Sequence, residues 1–364
     1  TRHSMRLGII GLPLSGKTTV FNALTRSDVP PTTATTGKLE THTAIVDVPD
    51  KRVDRLSALF KPRKTIYAKV TYTDFANLEQ DVGKTGLTGP LRNQIATTDA
   101  FVLVIRGFES SVSPHPLGSI NPQRDLDLLH NDFMLADLVT VENRLARIDE
   151  TLHKGARSEE RTRYQEERLL FERLHAGLEA GQPLRDLALT PAEVDGLAGF
   201  GLLSLKPTLV LLNTGEDPCD PHTVLRYAHQ QTAVMALQGK LEMELAQLPP
   251  EEAAMFMEEF GIQELGLNRV IHTSYHLLGL CSFFTVGEDE VRAWTLRQGS
   301  TALDAAAAIH TDLARGFIRA EVISYDELIA LGGMVAARKA GKVQLEGKEY
   351  LVRDGDIVHI RFSL

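Results

Sequence analysis

The sequence predicts an α/β domain that is interrupted by a helical hairpin and followed by a small α+β module. An apolar run that ends at Gly11 leads into a glycine-rich loop and then a helical pattern. Over 121–203, apolar residues recur at helical spacing and charged residues fill the other positions. From Ser282 the chain reads as strand, strand, helix and further strands, which indicates a second, smaller fold.

The composition is that of a folded protein with a large apolar core. The 364 residues are 43% hydrophobic, and this length predicts two or three domains. No run approaches the roughly 20 apolar residues of a membrane span, so we expect no membrane partner. The net charge of −9 argues against general adhesion to nucleic acid but permits a local basic patch. The two cysteines, Cys219 and Cys281, lack metal-ligand spacing, and we expect a reducing, cytoplasmic environment.

The loop after the first predicted strand carries the phosphate-loop pattern G-x-x-x-x-G-K-T from Gly11 to Thr18. A strand before it (5–10) and a helix after it (18–25) supply the context that this pattern requires. Glycines allow backbone angles that turn the loop amides toward an anion, and the helix N-terminus adds positive potential. We expect Lys17 to neutralise phosphate charge and Thr18 to offer its hydroxyl to Mg²⁺. The predicted phosphate-binding residues are Leu14, Ser15, Gly16, Lys17, Thr18 and Thr19.

Hydrophobic periodicity assigns most other elements. Asp74 lies at the end of a predicted strand, and we expect it to hold Mg²⁺ with Thr18, usually through water. The predicted strands are 44–48, 69–75, 100–105, 207–213, 282–286, 291–296, 318–322 and 357–362, with a hairpin of 343–345 and 349–352. The predicted helices outside the hairpin region are 18–25, 54–60, 222–231, 240–248, one from 249 onward, 265–280 and 301–310.

Asn213 and Glu216 follow an apolar strand and are the predicted base readers. A guanine reader has the form N-K-x-D, because the short Asp accepts from two guanine N–H groups, and Glu216 is one carbon longer. Guanine preference is therefore not supported, although the neighbouring Asp217 leaves a shifted register open. Gln238 and Gly239 precede the next helix and are candidates for the loop beside the base.

The chain resembles the YchF/Obg-like ATPase family of phosphate-loop proteins from end to end. The resemblance rests on the phosphate loop, on Asn213-x-x-Glu216 and on the segment 239–245. The most specific motifs lie near the C-terminus, at 283–294, 316–322 and 354–356. These C-terminal strings resemble the family's TGS module, which has a ubiquitin-like β-grasp fold.

The resemblance implies a phosphate-loop G domain (5–120 and 204–281), a coiled-coil-like helical insertion (121–203) and a TGS domain (282–364). It implies a monomer that binds ATP or GTP with Mg²⁺, hydrolyses it slowly, and regulates translation or the stress response. Its expected partner is the ribosome, at the large subunit, or RNA, bound through the insertion and the TGS domain. Candidate RNA contacts are the basic residues Arg315, Arg319, Arg338, Lys339 and Lys342.

Three departures or family features bear on turnover, and we predict no catalytic residue. Leu78 stands where other GTPases have a water-orienting glutamine, so we expect slow hydrolysis. Asn77 replaces the glycine whose amide meets the γ-phosphate in the family, and Lys38 replaces its Mg²⁺-binding threonine. Thr35 or Thr36 substitutes for that threonine if the register shifts.

Two alternatives remain open. The first is a scaffold that binds nucleotide without hydrolysing it, because of Asn77 and Lys38. The second is a metabolic nucleotide kinase, which the TGS module and the N-x-x-E motif disfavour.

Overall fold

The structure is a computed structural model that describes residues 5–30, 41–75, 87, 89–155, 157–260 and 262–363. The chain forms two compact units. One comprises Met5–Ala44 and Thr71–Val270, and the other comprises Ile45–Val70 and Ile271–Leu364. The division into G domain, insertion and TGS domain stays a prediction.

The described residues form strands and helices that we number in chain order. The strands are β1 (Arg6–Ile10), β2 (Thr41–Asp47), β3 (Lys64–Ile66), β4 (Lys69–Phe75), β5 (Ala100–Gly107), β6 (Thr208–Thr214), β7 (Thr232–Leu237), β8 (Leu280–Val286), β9 (Glu290–Arg297), β10 (Phe317–Ser324), β11 (Gln344–Glu346) and β12 (Asp356–Phe362). The helices are α1 (Lys17–Thr25), α2 (Lys51–Phe60), α3 (Gly89–Ile95), α4 (Pro122–His153), α5 (Ser158–Glu179), α6 (Pro191–Leu197), α7 (Gly239–Gln247), α8 (Pro250–Glu259), α9 (Gly266–Leu277), α10 (Ala302–Ile309), α11 (Thr311–Arg315), α12 (Tyr325–Leu331) and α13 (Met334–Lys339).

A six-stranded sheet in the order β2-β4-β1-β5-β6-β7 contains the elements around the phosphate loop. Parallel pairing joins β4 to β1, β1 to β5, β5 to β6 and β6 to β7. Strands β5 and β6 are almost wholly buried, as expected of parallel strands that are covered on both faces. The register places Ile9 opposite Asp74 and Arg106 opposite Asn213, so polar side chains meet at the carboxyl ends of the strands. This confirms the predicted α/β class.

The helical region contains two long helices, α4 and α5, which form the predicted hairpin. Asn121 caps α4 by accepting from the Arg124 N–H, and Pro122 occupies the first turn, where proline costs no hydrogen bond. The first turns of α4 pack on the sheet, and the Phe133 and Phe101 ring centroids lie 4.9 Å apart. Farther along, the helices share a core of their own that includes Met134, Val141, Phe171, Leu174 and Leu178. Among the described residues, no helix has an apolar stretch long enough to cross a bilayer.

The second unit has a sheet in the order β11-β10-β12-β8-β9-β3. Strand β3 and helix α2 come from the early segment of the chain, and β3 pairs in parallel with β9. Arg52 of α2 donates to Asp50 and, at 2.7 Å, to Asp354, and its guanidinium lies 5.0 Å from the Phe284 ring centroid. The core lies between α10 and one face of the sheet and includes Phe283, Ala305, Ala306, Val322 and Val358.

Two predicted elements are absent from the described residues. Over 222–231 the structure has one 3₁₀ turn, Pro221–Thr223, in place of a helix, because the Asp220 carboxylate accepts from the His222 N–H and holds the chain in a local cap. The strand that follows, β7, was missed. The predicted hairpin of 343–345 with 349–352 is also wrong, because β11 pairs with β10 instead, and Leu351 forms only an isolated bridge with Thr301.

The buried carboxylate of Asp137 joins the middle of α4 to residues 203 and 204, where the chain leaves the helical region. It accepts from the main-chain N–H of Leu203 and of Ser204, both at 2.7 Å, and from the Ser204 hydroxyl at 2.6 Å. Three donors therefore depend on one side chain.

Replacing this carboxylate should destabilise the fold. We expect Asp137→Ala to lower the free energy of unfolding by about 3 kcal/mol, because three buried donors lose their acceptor. Urea denaturation measures the change. The control is Asp127→Ala on the exposed face of the same helix, where Gln123 donates to the carboxylate, and it should cost less than about 0.5 kcal/mol. Equal losses in the two variants would contradict the assignment.

Candidate functional site

The phosphate loop has two residues in the left-handed backbone region. Gly16 has φ of 88° at the N-terminus of α1, and Leu14 has φ of 59°, which is costly for a residue with a side chain. A Cβ at Gly11 would lie 2.4 Å from the Val104 carbonyl oxygen, and one at Gly16 would lie 2.2 Å from Asn213 Nδ2. Both glycines of the motif are therefore required by close packing.

The loop lysine is buried within the loop itself. Lys17 is 5% exposed, and its Nζ donates to the Leu12 carbonyl oxygen at 3.0 Å. Because Lys17 is the first residue of α1, its ammonium group and the helix N-terminus both place positive potential at the loop.

The two predicted metal ligands are in contact. The Thr18 hydroxyl donates to Asp74 Oδ2 at 3.0 Å, and Asp74 is fully buried at the end of β4. A hydroxyl and a carboxylate are hard oxygen donors of the kind that Mg²⁺ prefers, and few protein ligands suffice because Mg²⁺ retains water and takes substrate phosphates. The residues present therefore fit a magnesium ion at this position.

Asn213 links two loops through its side-chain amide. Its Nδ2 donates to the Ser15 carbonyl oxygen at 3.0 Å, and its Oδ1 accepts from the Gly239 N–H at 3.1 Å. A Cβ at Gly239 would lie 2.6 Å from Asn213 Oδ1. The amide thus fixes the phosphate loop against the start of α7, and contact with a base stays a prediction.

The Glu216 turn is held by its main chain. Gln238 Nε2 donates to the carbonyl oxygens of Gly215 (3.3 Å) and Glu216 (2.5 Å). The side chains of Glu216 and Asp217 are both exposed on this turn. The structure brings Gln238, Gly239 and the Asn213-x-x-Glu216 segment together, and either acid remains a candidate base reader.

Sequence reasoning missed Arg106 and Phe108 at the end of β5. Arg106 is buried, and it donates to the carbonyl oxygens of Leu14, Phe108 and Ser113. The Phe108 ring lies 3.8 Å from the position of a Cβ at Gly16, which places it beside the phosphate loop. The available signal was an arginine directly after the apolar strand predicted at 100–105.

Glu242, in the first turn of α7, supports the far side of the site. Its buried carboxylate accepts from the N–H of Gly266 at 2.6 Å and of Leu267 at 3.3 Å, at the start of α9. Burial raises the pKa of this carboxyl, and the two main-chain donors oppose that shift. The helix that begins at Gly239 is thereby fixed at a second point.

The residues on which turnover depends lie outside the described part of the chain. These are Lys38, Asn77 and Leu78, together with the possible substitutes Thr35 and Thr36. The expectations for hydrolysis therefore remain predictions.

These contacts define a phosphate-loop protein of the nucleoside triphosphatase class. A strand, a glycine-rich loop and a helix follow one another, Thr18 contacts Asp74, and Asn213 contacts the loop.

The family model YchF-GTPase_C, described as "Protein of unknown function (DUF933)", matches residues 280–363. The chain is similar to the "Ribosome-binding ATPase YchF" of Bacillus subtilis (strain 168), with 38% identity over 99% of this chain and 100% of the relative. The protein of the same name in Haemophilus ducreyi is 39% identical over 99% of each chain.

The comparison with solved structures agrees. The "Structure of the Schizosaccharomyces pombe YchF GTPase" matches with a TM-score of 0.83 and 30% identity, over 99% of this chain and 98% of that one. The chain belongs to the YchF family, which confirms the resemblance inferred from its motifs.

The Asn213 link should contribute measurably to stability without any ligand. We expect Asn213→Ala to lower the free energy of unfolding by about 2 kcal/mol, because the Ser15 carbonyl and the Gly239 N–H lose a buried partner together. Urea denaturation of the nucleotide-free protein measures it. Asn143→Ala, at an exposed position of α4, is the matched control and should change stability by less than about 0.5 kcal/mol. Indistinguishable midpoints for the two variants would rule out a structural link.

Proposed function

We propose that this chain is a Mg²⁺-dependent ATP- or GTP-binding protein that hydrolyses nucleotide slowly and associates with the ribosome. The observation that carries the proposal is the contact of Thr18 with Asp74 beside a loop whose lysine and glycines are all in place. When bound, Mg²⁺ would neutralise phosphate charge and orient the phosphate oxygens.

The chain's own residues account for the binding step. Lys17 and the N-terminus of α1 attract phosphate, and Gly11 and Gly16 let the loop backbone approach it closely. Thr18 and Asp74 would hold the magnesium ion. Asn213 keeps the loop in the shape that presents its amides, through the bond to the Ser15 carbonyl.

Base preference is the finer part of the proposal. Glu216 in place of a guanine-reading Asp supports binding of ATP at least as well as GTP, while Asp217 on the same turn supports the alternative register. Slow hydrolysis rests on Leu78, which has no group to orient a water molecule. The scaffold alternative differs only in turnover, so release of inorganic phosphate from ATP with Mg²⁺ separates the two.

Titration calorimetry with non-hydrolysable ATP and GTP analogues tests the binding site. We expect Mg²⁺ to tighten binding to the wild-type protein and Thr18→Ala to remove about tenfold of that gain, or about 1.4 kcal/mol. Tighter binding of the ATP analogue supports Asn213-x-x-Glu216 as an adenine-tolerant reader. Tighter binding of the GTP analogue contradicts that argument and favours Asp217.

The control is Thr25→Ala, which removes a hydroxyl from the other end of the same helix. That hydroxyl donates to the Phe21 carbonyl oxygen at 2.7 Å. Thr25→Ala should keep the full Mg²⁺-dependent gain. The binding proposal fails if the wild-type protein binds neither analogue.

Ribosome association is proposed from the printed names of the relatives and from basic residues of the C-terminal unit. Three of the five candidate contacts are paired with acids: Arg338 with Glu321 at 2.9 Å, Lys342 with Glu327 at 3.1 Å and Arg315 with Asp312 at 3.6 Å. Arg319 and Lys339 are exposed, and Arg319 lies directly opposite Arg361 on β12. Arg361 is itself paired with Glu321, which leaves Arg319 and Lys339 as the candidate contacts for phosphate.

Co-sedimentation with ribosomes over a salt series tests the contribution of Arg319 and Lys339. We expect Arg319→Glu combined with Lys339→Glu to weaken association at least about tenfold at low salt and to reduce its salt dependence, because phosphate contacts release counterions. Arg297→Glu, at an exposed position of β9 in the same unit, is the control. An unchanged salt slope in the double variant would exclude Arg319 and Lys339 as phosphate contacts.

A further inference from the structure

Arg106 is a buried cation that no predicted motif includes. Its side chain is 1% exposed at the carboxyl end of β5. Its three acceptors are the main-chain carbonyl oxygens of Leu14 (3.2 Å), Phe108 (3.1 Å) and Ser113 (2.6 Å), and none is a carboxylate. Burial lowers the pKa of the guanidinium, opposed by the charges of Glu109 and Asp125. Burying a charged guanidinium without a carboxylate partner costs free energy. This cost indicates that the groups bound by Arg106 matter to the site.

The first group that Arg106 holds belongs to the phosphate loop. Leu14 has the costly φ of 59° and its side chain is 45% exposed, so its own packing does not fix this turn. Arg106 Nη1 fixes the Leu14 carbonyl, and Asn213 Nδ2 fixes the next carbonyl, that of Ser15. Arg106 and Asn213 are register partners on β5 and β6. Two consecutive loop carbonyls are therefore held from two adjacent strands.

The second group is the Phe108 ring. The guanidinium lies 4.5 Å from the ring centroid, and its Nε donates to the Phe108 carbonyl. Phe108 Cε1 lies 3.8 Å from the position of a Cβ at Gly16, and its Cβ lies 3.4 Å from that at Gly215. The phenylalanine thus contacts both the phosphate loop and the turn after Asn213. Lysine could not replace the arginine, because only a planar fork serves three carbonyls and a ring face together.

We propose that Arg106 is a positioning residue that couples the phosphate-binding and base-binding halves of the site. Its Nη1 holds the left-handed turn at Leu14, while its Nε donates to the Phe108 carbonyl and its face lies over the Phe108 ring. The inference rests on the proposed nucleotide binding. It adds that Arg106 makes the phosphate-binding half and the base-binding half of the site depend on each other.

Calorimetry with two probes separates the halves: a non-hydrolysable ATP analogue and inorganic tripolyphosphate, which has no base. We expect Arg106→Lys to weaken tripolyphosphate binding about tenfold, or about 1.4 kcal/mol, and to weaken binding of the ATP analogue by a further factor of about ten. Phe108→Ala should weaken binding of the ATP analogue more than binding of tripolyphosphate, because the residue also contacts the turn after Asn213. Adding Phe108→Ala to Arg106→Lys should lower affinity for the ATP analogue by a smaller factor than Phe108→Ala does in the wild-type protein, because the ring has already lost its contact with the guanidinium.

A rescue variant tests the Leu14 half. Leu14→Gly in the Arg106→Lys background removes the cost of the left-handed turn. It should restore most of the tripolyphosphate affinity and leave the additional loss for the ATP analogue in place. A merely structural role for Arg106 predicts no such selective recovery. The matched control is Arg92→Lys. Arg92 is half-buried and donates to the Thr140 hydroxyl and the Phe200 carbonyl. This variant should bind both probes as the wild-type protein does.

Each other outcome overturns the inference. Wild-type affinity of Arg106→Lys for both probes excludes any positioning role. A loss confined to the ATP analogue, or equal for both probes, shows that Arg106 acts on one half alone. If Arg106→Lys does not fold, the cycle of Leu14→Gly and Phe108→Ala decides, because coupling through Arg106 requires that their effects on affinity for the ATP analogue be non-additive, and additive effects overturn the inference. Failure of the wild-type protein to bind either probe instead defeats the proposed function, and the inference with it.

Discussion

The arrangement of the site depends on the side-chain amide of Asn213, because it joins segments that are remote in sequence. One side of the amide donates to the Ser15 carbonyl and the other accepts from the Gly239 N–H. An asparagine can do both at once, since it carries a donor and an acceptor on one planar group. The glycines at 16 and 239 are required by this contact, because a Cβ at either would overlap the amide.

The surrounding contacts follow from the parallel sheet. Adjacent strands end at the same edge, so Asp74, Arg106 and Asn213 project from three strands toward one loop. Thr18 meets Asp74, Arg106 reaches Leu14, and Asn213 reaches Ser15. Positive potential at the loop comes from Lys17, from the N-terminus of α1 and from Arg106, whose three acceptors are main-chain carbonyls. Donors that are fixed before the ligand arrives preorganise the loop for an anion.

Much of this arrangement could be predicted from local sequence, and the rest depended on contacts between remote residues. The loop from Gly11 to Thr18 is identifiable because its glycines, lysine and threonine act within eight consecutive positions. The role of Arg106 was not predictable, since it depends on which main-chain carbonyls the sheet brings to it.

The missed strand β7 and the mistaken helix at 222–231 have a similar cause. Pairing with β6 and the Asp220 cap outweighed the local periodicity there. The inclusion of 45–70 in the C-terminal unit likewise depends on residues far apart in the chain, through the pairing of β3 with β9 and the Arg52–Asp354 ion pair.

The attachment of the helical hairpin has an evolutionary consequence. Asp137 contacts two main-chain N–H groups and one serine hydroxyl. Any residue except proline supplies a main-chain N–H, so two of the three bonds place almost no demand on the identity of positions 203 and 204. Substitutions on the exposed faces of α4 and α5 therefore leave this attachment intact. The surface of the hairpin can change in charge and shape while the fold that holds it stays the same.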